Sequence, residues 1–125
     1  MRSLLLLLLI LFLQSALFAQ RIDENKQGAL DQMVELISEN LEVENLDFTT
    51  LLEDLNYFYE HPLNINRAER DDLRRLIILS EFQIEAIIRH REFAGRFIAL
   101  YELQGVEGLD LYTIQAILPF IRVGG

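Results

Sequence analysis

The feature that most constrains this chain is a repeat, offset by thirty residues, in its C-terminal half. Leu73, Leu79, Ser80, Ile84, Ala86, Ile87 and Ile88 recur as Leu103, Leu109, Asp110, Ile114, Ala116, Ile117 and Leu118. In each copy a Leu precedes a helix-capping residue and an Ile stands four positions into the helix. Leu79 with Ile84, and Leu109 with Ile114, therefore read as two hydrophobic staples, which set the angle at which a chain enters a helix. Each copy is helix, tight turn, capped helix. Neither unit can bury its apolar stripe alone, so the pattern predicts two helical hairpins packed face to face about a pseudo-twofold axis.

The remainder also reads as helices. Residues 20–29 are polar and predicted to be loose. Leu30, Met33, Val34, Leu36, Ile37 and Leu41 then recur at helical spacing. A second helix is predicted from Thr50, with Thr50 and Glu53 as a capping box. Its stripe is Leu51, Leu52, Leu55, Phe58 and Tyr59, and Pro62 ends it. Asn66 is expected to cap a third helix, with Glu69 three residues on, burying Leu73, Leu76 and Ile77. Ser80 and Gln83 open a fourth, which carries Ile84, Ile87 and Ile88 and stops at Gly95. A short fifth covers residues 99–104. Asp110 is expected to cap the sixth, which carries Ile114, Ile117 and Leu118 until Pro119. No stretch alternates strictly, so no strand is predicted before Pro119. The expected fold class is all-α: a tandem pair of helical hairpins preceded by two acidic amphipathic helices.

Composition matters for what lies at the N-terminus. The chain has 125 residues and a formal charge of −9, with 51% hydrophobic residues and no Cys. The apolar excess sits in residues 1–19, where Arg2 precedes an unbroken apolar run over residues 4–13 and Ala16-Leu17-Phe18-Ala19 follows. This is the layout of a secretory signal, with cleavage expected after Ala19. With no Cys after the run, a lipoprotein anchor is excluded. The exported domain must also fold without disulfides. Residues 20–61 hold 11 acidic and 2 basic residues, a net of −9, whereas residues 62–125 hold 9 and 8, a net of −1. That balance argues against a uniformly basic nucleic-acid binder. The expected organisation is a signal peptide over 1–19, an acidic helical segment over 20–61, the tandem hairpins over 62–119 and an extended tail over 120–125. The tail, Phe120-Ile121-Arg122-Val123, starts like a strand with no partner. It is read as a sign that the chain is the N-terminal module of a longer exported protein, periplasmic or attached to the outer membrane.

Leu63-Asn64-Ile65-Asn66, Ala68, Leu73, the Ile84-Glu85-Ala86-Ile87-Ile88 helix, Arg91-Glu92, Gly95, Phe97, Leu103 and Val106-Glu107-Gly108-Leu109 follow one another without a gap. In this order they resemble the tandem helix-hairpin-helix domain of ComEA-type exported competence proteins. The acidic segment before them resembles that of longer exported proteins in Bacteroidetes-type bacteria. The resemblance implies sequence-independent binding to double-stranded DNA, in which Gly-hydrophobic-Gly turns let phosphates approach free helix-end amides. The two turns here are Ile78-Leu79-Ser80 and Gly108-Leu109-Asp110, so Gly108 alone remains of four glycines. Ile78 resists a positive φ, while Asp110 is expected to occupy the end amides and puts a carboxylate where a phosphate would sit, with Glu107 beside it.

Arg67, Arg70 and Arg74 fall on one helix face, with Arg75 adjacent. That face reads as a phosphate-tracking stripe, as a solvated face interleaved with Glu69, Asp71 and Asp72, or as a dock for the acidic segment. Asp23, Asn25, Gln27, Gly28, Leu30 and Asp31 mimic the start of a calcium loop, but Val34 holds the position of its closing Glu. His61 and His90 lack ligand-spaced companions. No nucleophile, metal or cofactor set assembles, which predicts a non-enzymatic chain with no cofactor and no small-molecule substrate. Of Tyr57, Phe58 and Tyr59, one or two are left for a partner surface. The expected partner is a protein or the remainder of a longer chain, with weak double-stranded DNA binding as the alternative. Membrane contact is expected through the signal segment alone.

Overall fold

The computed structural model describes residues 1–40 and 47–124. Helix α1 runs from Arg2–Asn40 and α2 from Phe48–Glu60. Strand β1 (Leu63–Asn64) leads to α3 (Arg70–Arg74) and α4 (Glu81–Ala94). A 3-10 segment over Leu100–Gly105, α5 (Leu111–Ile117), a 3-10 turn over Leu118–Phe120 and strand β2 (Ile121–Arg122) complete the order. The architecture is all-α apart from that short strand pair.

One core joins everything but the N-terminal end of α1. Both copies of the repeat enter it at matched positions: Leu73 and Leu103, Leu79 and Leu109, Ile84 and Ile114, Ile87 and Ile117 are all buried. The two staples are therefore in place. The match fails at the last pair, because Ile88 is buried while Leu118 is 36% exposed. Leu51, Leu55 and Phe58 from α2, and Met33 and Ile37 from α1, fill the same core. Burial of each such side chain contributes about 1.5–3 kcal/mol before chain entropy is counted. The acidic segment is thus packed on the hairpins and is no separate tether.

Several local expectations are corrected. Residues 20–29 are helical, continuing α1 without a break. Leu41 lies outside the described residues. The cap of α2 is Asp47, whose Oδ1 accepts the amides of Thr49 and Thr50 at 3.1 and 3.3 Å. Thr50 sits inside the helix and donates its hydroxyl to Asp47 Oδ2; Asp47 is the stronger cap because its carboxylate serves three donors at once. Leu52 is exposed and leaves the stripe. Glu69 rather than Asn66 is the cap residue of α3, its amide donating to Asp72 Oδ2 at 2.9 Å. The same device recurs thirty residues on, where the Ala99 amide donates to Glu102 Oε2.

Asn66 instead latches two distant loops. Its Oδ1 accepts the Phe97 amide at 2.7 Å, and its Nδ2 donates to the Phe97 and Gly124 carbonyls at 2.8 and 3.1 Å. Asn64 Oδ1 accepts the Asn66 amide, and Arg91 Nη1 donates to the carbonyls of Ile65 and Ala68. Leu63-Asn64-Ile65-Asn66 and Gly95-x-Phe97 are therefore one structural unit. Gly95, at φ 90°, makes the turn that brings Phe97 back to Asn66.

The expectation of no strand before Pro119, and of an unpartnered tail, is overturned. Leu63 pairs with Ile121 and Asn64 with Arg122 in a parallel two-stranded ladder. The Asn66 latch to Gly124 extends the pairing, so the tail closes the domain.

Candidate functional site

The hairpin turns come together at one end of the fold. Ile77, Ile78, Leu79, Ser80 and Gln83 of the first, with Asp110, Tyr112 and Thr113 of the second, line a groove of about 360 Å³. Leu36 of α1 closes its side. Gln83 clasps the two hairpins, its Nε2 donating to the Gly108 carbonyl at 3.1 Å.

In the first hairpin the donors that an anion would need are committed. The Gln83 amide donates to Ser80 Oγ at 3.1 Å, and the Ser80 amide donates to Gln83 Oε1 at 3.0 Å. That reciprocal box satisfies both groups from within the helix. Left-handed backbone falls on Ile77, at φ 53°, rather than on Ile78. A β-branched side chain there keeps the backbone from close approach.

The second hairpin closes differently. Gly108 has φ 84°, as the turn requires, but a Cβ added to it would collide with the Phe82 ring. The open side of the glycine, which a phosphate would use, is thus covered by an aromatic ring from the first turn of α4. The expectation that Asp110 caps the end amides is corrected. Its backbone is at the cap position, but its carboxylate makes no cap hydrogen bond and instead accepts the Thr113 hydroxyl. Asp110 and Glu107 are both exposed and keep negative charge at the turn.

The arginine face does not join this groove. Arg70 is held by Glu85 through two hydrogen bonds of 2.5 and 3.1 Å. Arg74 is held by Glu81 at 2.8 and 3.1 Å and by Asp71 at 2.6 Å. Hydrogen bonding to these carboxylates raises both guanidinium pKa values and lowers those of Glu81 and Glu85 below the ordinary 4.5. Arg75 pairs with Asp54 of α2 at 2.8 Å and lies 4.6 Å over the Phe58 ring. Docking of the acidic segment is therefore realised at Arg75, whereas Arg70 and Arg74 are answered by α4. Arg67 is exposed at the start of this face. A phosphate-tracking role would require breaking these pairs.

Other candidates resolve into structure. Phe58 is buried, Tyr59 packs edge-on to Phe120, and Tyr57 is exposed with His61 stacked on it at 4.6 Å. His90 stacks on Phe97 at 5.0 Å. The calcium-like spacing lies along a continuous helix, a shape that cannot wrap a cation. Among the described residues no three His, Asp or Glu side chains converge to hold a metal ion.

Phe82 is the site residue that the sequence reading missed. Its counterpart thirty residues on is Tyr112, so each capped helix carries an aromatic residue at the same early position. That recurrence was the available signal.

Residues 59–122 match the profile of the helix-hairpin-helix motif. Comparison with curated proteins and with solved structures gives no match.

Proposed function

The chain belongs to the helix-hairpin-helix family, and we propose that it uses this scaffold as an exported, non-enzymatic interaction or structural module whose hairpins have given up the DNA backbone. The observation that carries this reading is that each turn is occupied from within, by a reciprocal cap in the first hairpin and by a ring laid over the glycine in the second. Ser80 and Gln83 satisfy the first, and Phe82 covers Gly108 in the second. DNA affinity depends on neutralising phosphates with basic groups, and the arginines of α3 are instead paired with Glu81, Glu85 and Asp71.

Export is supported by the first half of α1. That stretch has a mean hydropathy of 2.2 over its most apolar window and is wholly exposed, as suits a segment removed at Ala19 or held in a membrane. Signal sequences and membrane spans both meet this description. The stretch supports a periplasmic or outer-membrane-associated location, in line with the ComEA-type resemblance of residues 63–118.

The second reading is sequence-independent binding of double-stranded DNA during uptake. Gly108 favours it, since its positive φ keeps the hairpin geometry of the DNA-binding members. A gel-shift titration of the chain with duplex DNA at low salt separates the two. The module reading expects no shift at micromolar protein. Salt-sensitive binding that weakens when Arg70 and Arg74 are reversed to Glu would establish the second reading instead.

A further inference from the structure

Helix α4 has two working faces. Ile84, Ile87 and Ile88 point into the core, while Phe82, Ala86, Arg89 and Phe93 follow one another along the outside at helical spacing over roughly 16 Å. Between that outer face and residues 105–107 lies a groove of about 300 Å³. Its lining combines the small residues Ala86, Ala94 and Gly105 with the rings of Phe82 and Phe93, 60% and 83% exposed. A single exposed aromatic residue is ordinary. Two that line a recess together with alanine and glycine make a socket for a bulky apolar side chain.

Charge narrows what fits. Glu85 lies in the wall, but its carboxylate is taken by Arg70. Arg89, one turn further on, also acts electrostatically on Glu85, but neither it nor Arg96 beyond Gly95 makes an ion pair or side-chain hydrogen bond among the described residues. A second cleft, sharing His90, Ala94 and Gly105 with the first, carries the surface on to Arg96, Tyr101 and Glu102, whose Oε2 accepts the Ile98 and Ala99 amides. Glu107 is the acid on the opposite wall. In a chain of net charge −9, where Arg70, Arg74 and Arg75 are all answered internally, Arg89 at this groove and Arg96 at the next cleft hold no carboxylate in an ion pair among the described residues.

We propose that the outer groove of α4 is a docking site for an acidic peptide segment carrying a bulky apolar anchor, with the anchor between Phe82 and Phe93 and its carboxylates on Arg89 and Arg96. The concave, small-residue lining favours an inserted side chain over a flat lipid surface. This inference rests on the interaction-module reading and supplies its partner class.

A random-peptide phage library selected on the full chain tests it. The expected result is enrichment of sequences with Asp or Glu next to Phe, Leu or Trp. Their binding should fall about tenfold with Arg89→Glu and again with Phe93→Ser, while Arg89→Lys retains it. Both side chains are exposed, so circular dichroism should show an unchanged fold. A pool with no enriched sequence, or one of basic or uncharged peptides, or peptides indifferent to both substitutions, overturns the proposal. Self-association of the chain abolished by Phe93→Ser overturns it too, by giving the groove to a second copy. The DNA titration above reports separately: a DNA shift defeats the module reading, whereas a failed selection without one defeats only the groove.

Discussion

In the first hairpin the left-handed backbone falls on Ile77, one position before the place that Gly108 holds in the second. A non-glycine residue in that conformation costs about 1–2 kcal/mol. The first hairpin tolerates this cost through its half-buried position and the reciprocal Ser80–Gln83 box. The second hairpin has the unstrained glycine but a weaker cap, with Asp110 turned to the Thr113 hydroxyl and Phe82 laid over the turn. Two different sets of residues thus reach one outcome. The turn is kept because the staples and core require it, while the first anion site loses its amides to the Ser80–Gln83 box and the second is screened by the Phe82 ring. Turn geometry and phosphate binding are separable properties of this motif.

Gly108→Val attacks the second hairpin where the comparison is sharpest. It forces a β-branched residue to a positive φ and drives a methyl group into the Phe82 ring, at a cost of about 2–3 kcal/mol in denaturant unfolding. Adding Phe82→Ala should return part of that loss; no recovery would mean that the ring is not what the glycine accommodates. Next come the caps. Ser80→Ala should cost about 1 kcal/mol, and Asp110→Ala less than half of it, because no end amide loses its partner. Equal costs would erase the difference drawn between the turns. The smallest effect is electrostatic. Hydrogen bonding from Arg74 holds Glu81 below its ordinary 4.5. A folded pKa lowered in this way adds stability above pH 4.5 and loses it as pH falls through the folded value. In Arg74→Gln, carbon-detected NMR should show Glu81 titrating closer to 4.5, with a shallower acid-side loss of stability. The pair is exposed, so salt should diminish the effect.

What could be read in advance was local and periodic. The thirty-residue offset, the staples and the Ser80–Gln83 box depend on neighbours within a helical turn, and all three are present. What escaped was decided by residues far away in sequence. Asn66 has the chemistry of a cap, but Phe97, 31 residues on, competes for the same side chain. Asp47 and Thr50 are both good caps, and the carboxylate prevailed. A parallel ladder of two residues, joining Leu63 to Ile121, leaves no alternation to detect. The arginine face was correctly read as mixed in charge, yet its acids come mainly from α4, at Glu81 and Glu85, rather than from the interleaved positions. At the site, the loss of glycines was plain, but the covering of Gly108 by Phe82 depends on how the two hairpins sit together.

The central claim is that the Ser80–Gln83 box in the first hairpin and the Phe82 ring over Gly108 in the second keep phosphates off both turns. Amide NMR of the full chain during titration with duplex DNA at low salt tests it residue by residue. The account predicts no saturable shift at the amides of Ser80, Gln83, Leu109 or Thr113. Saturable, salt-sensitive shifts at those amides, growing further in Phe82→Ala, would contradict it.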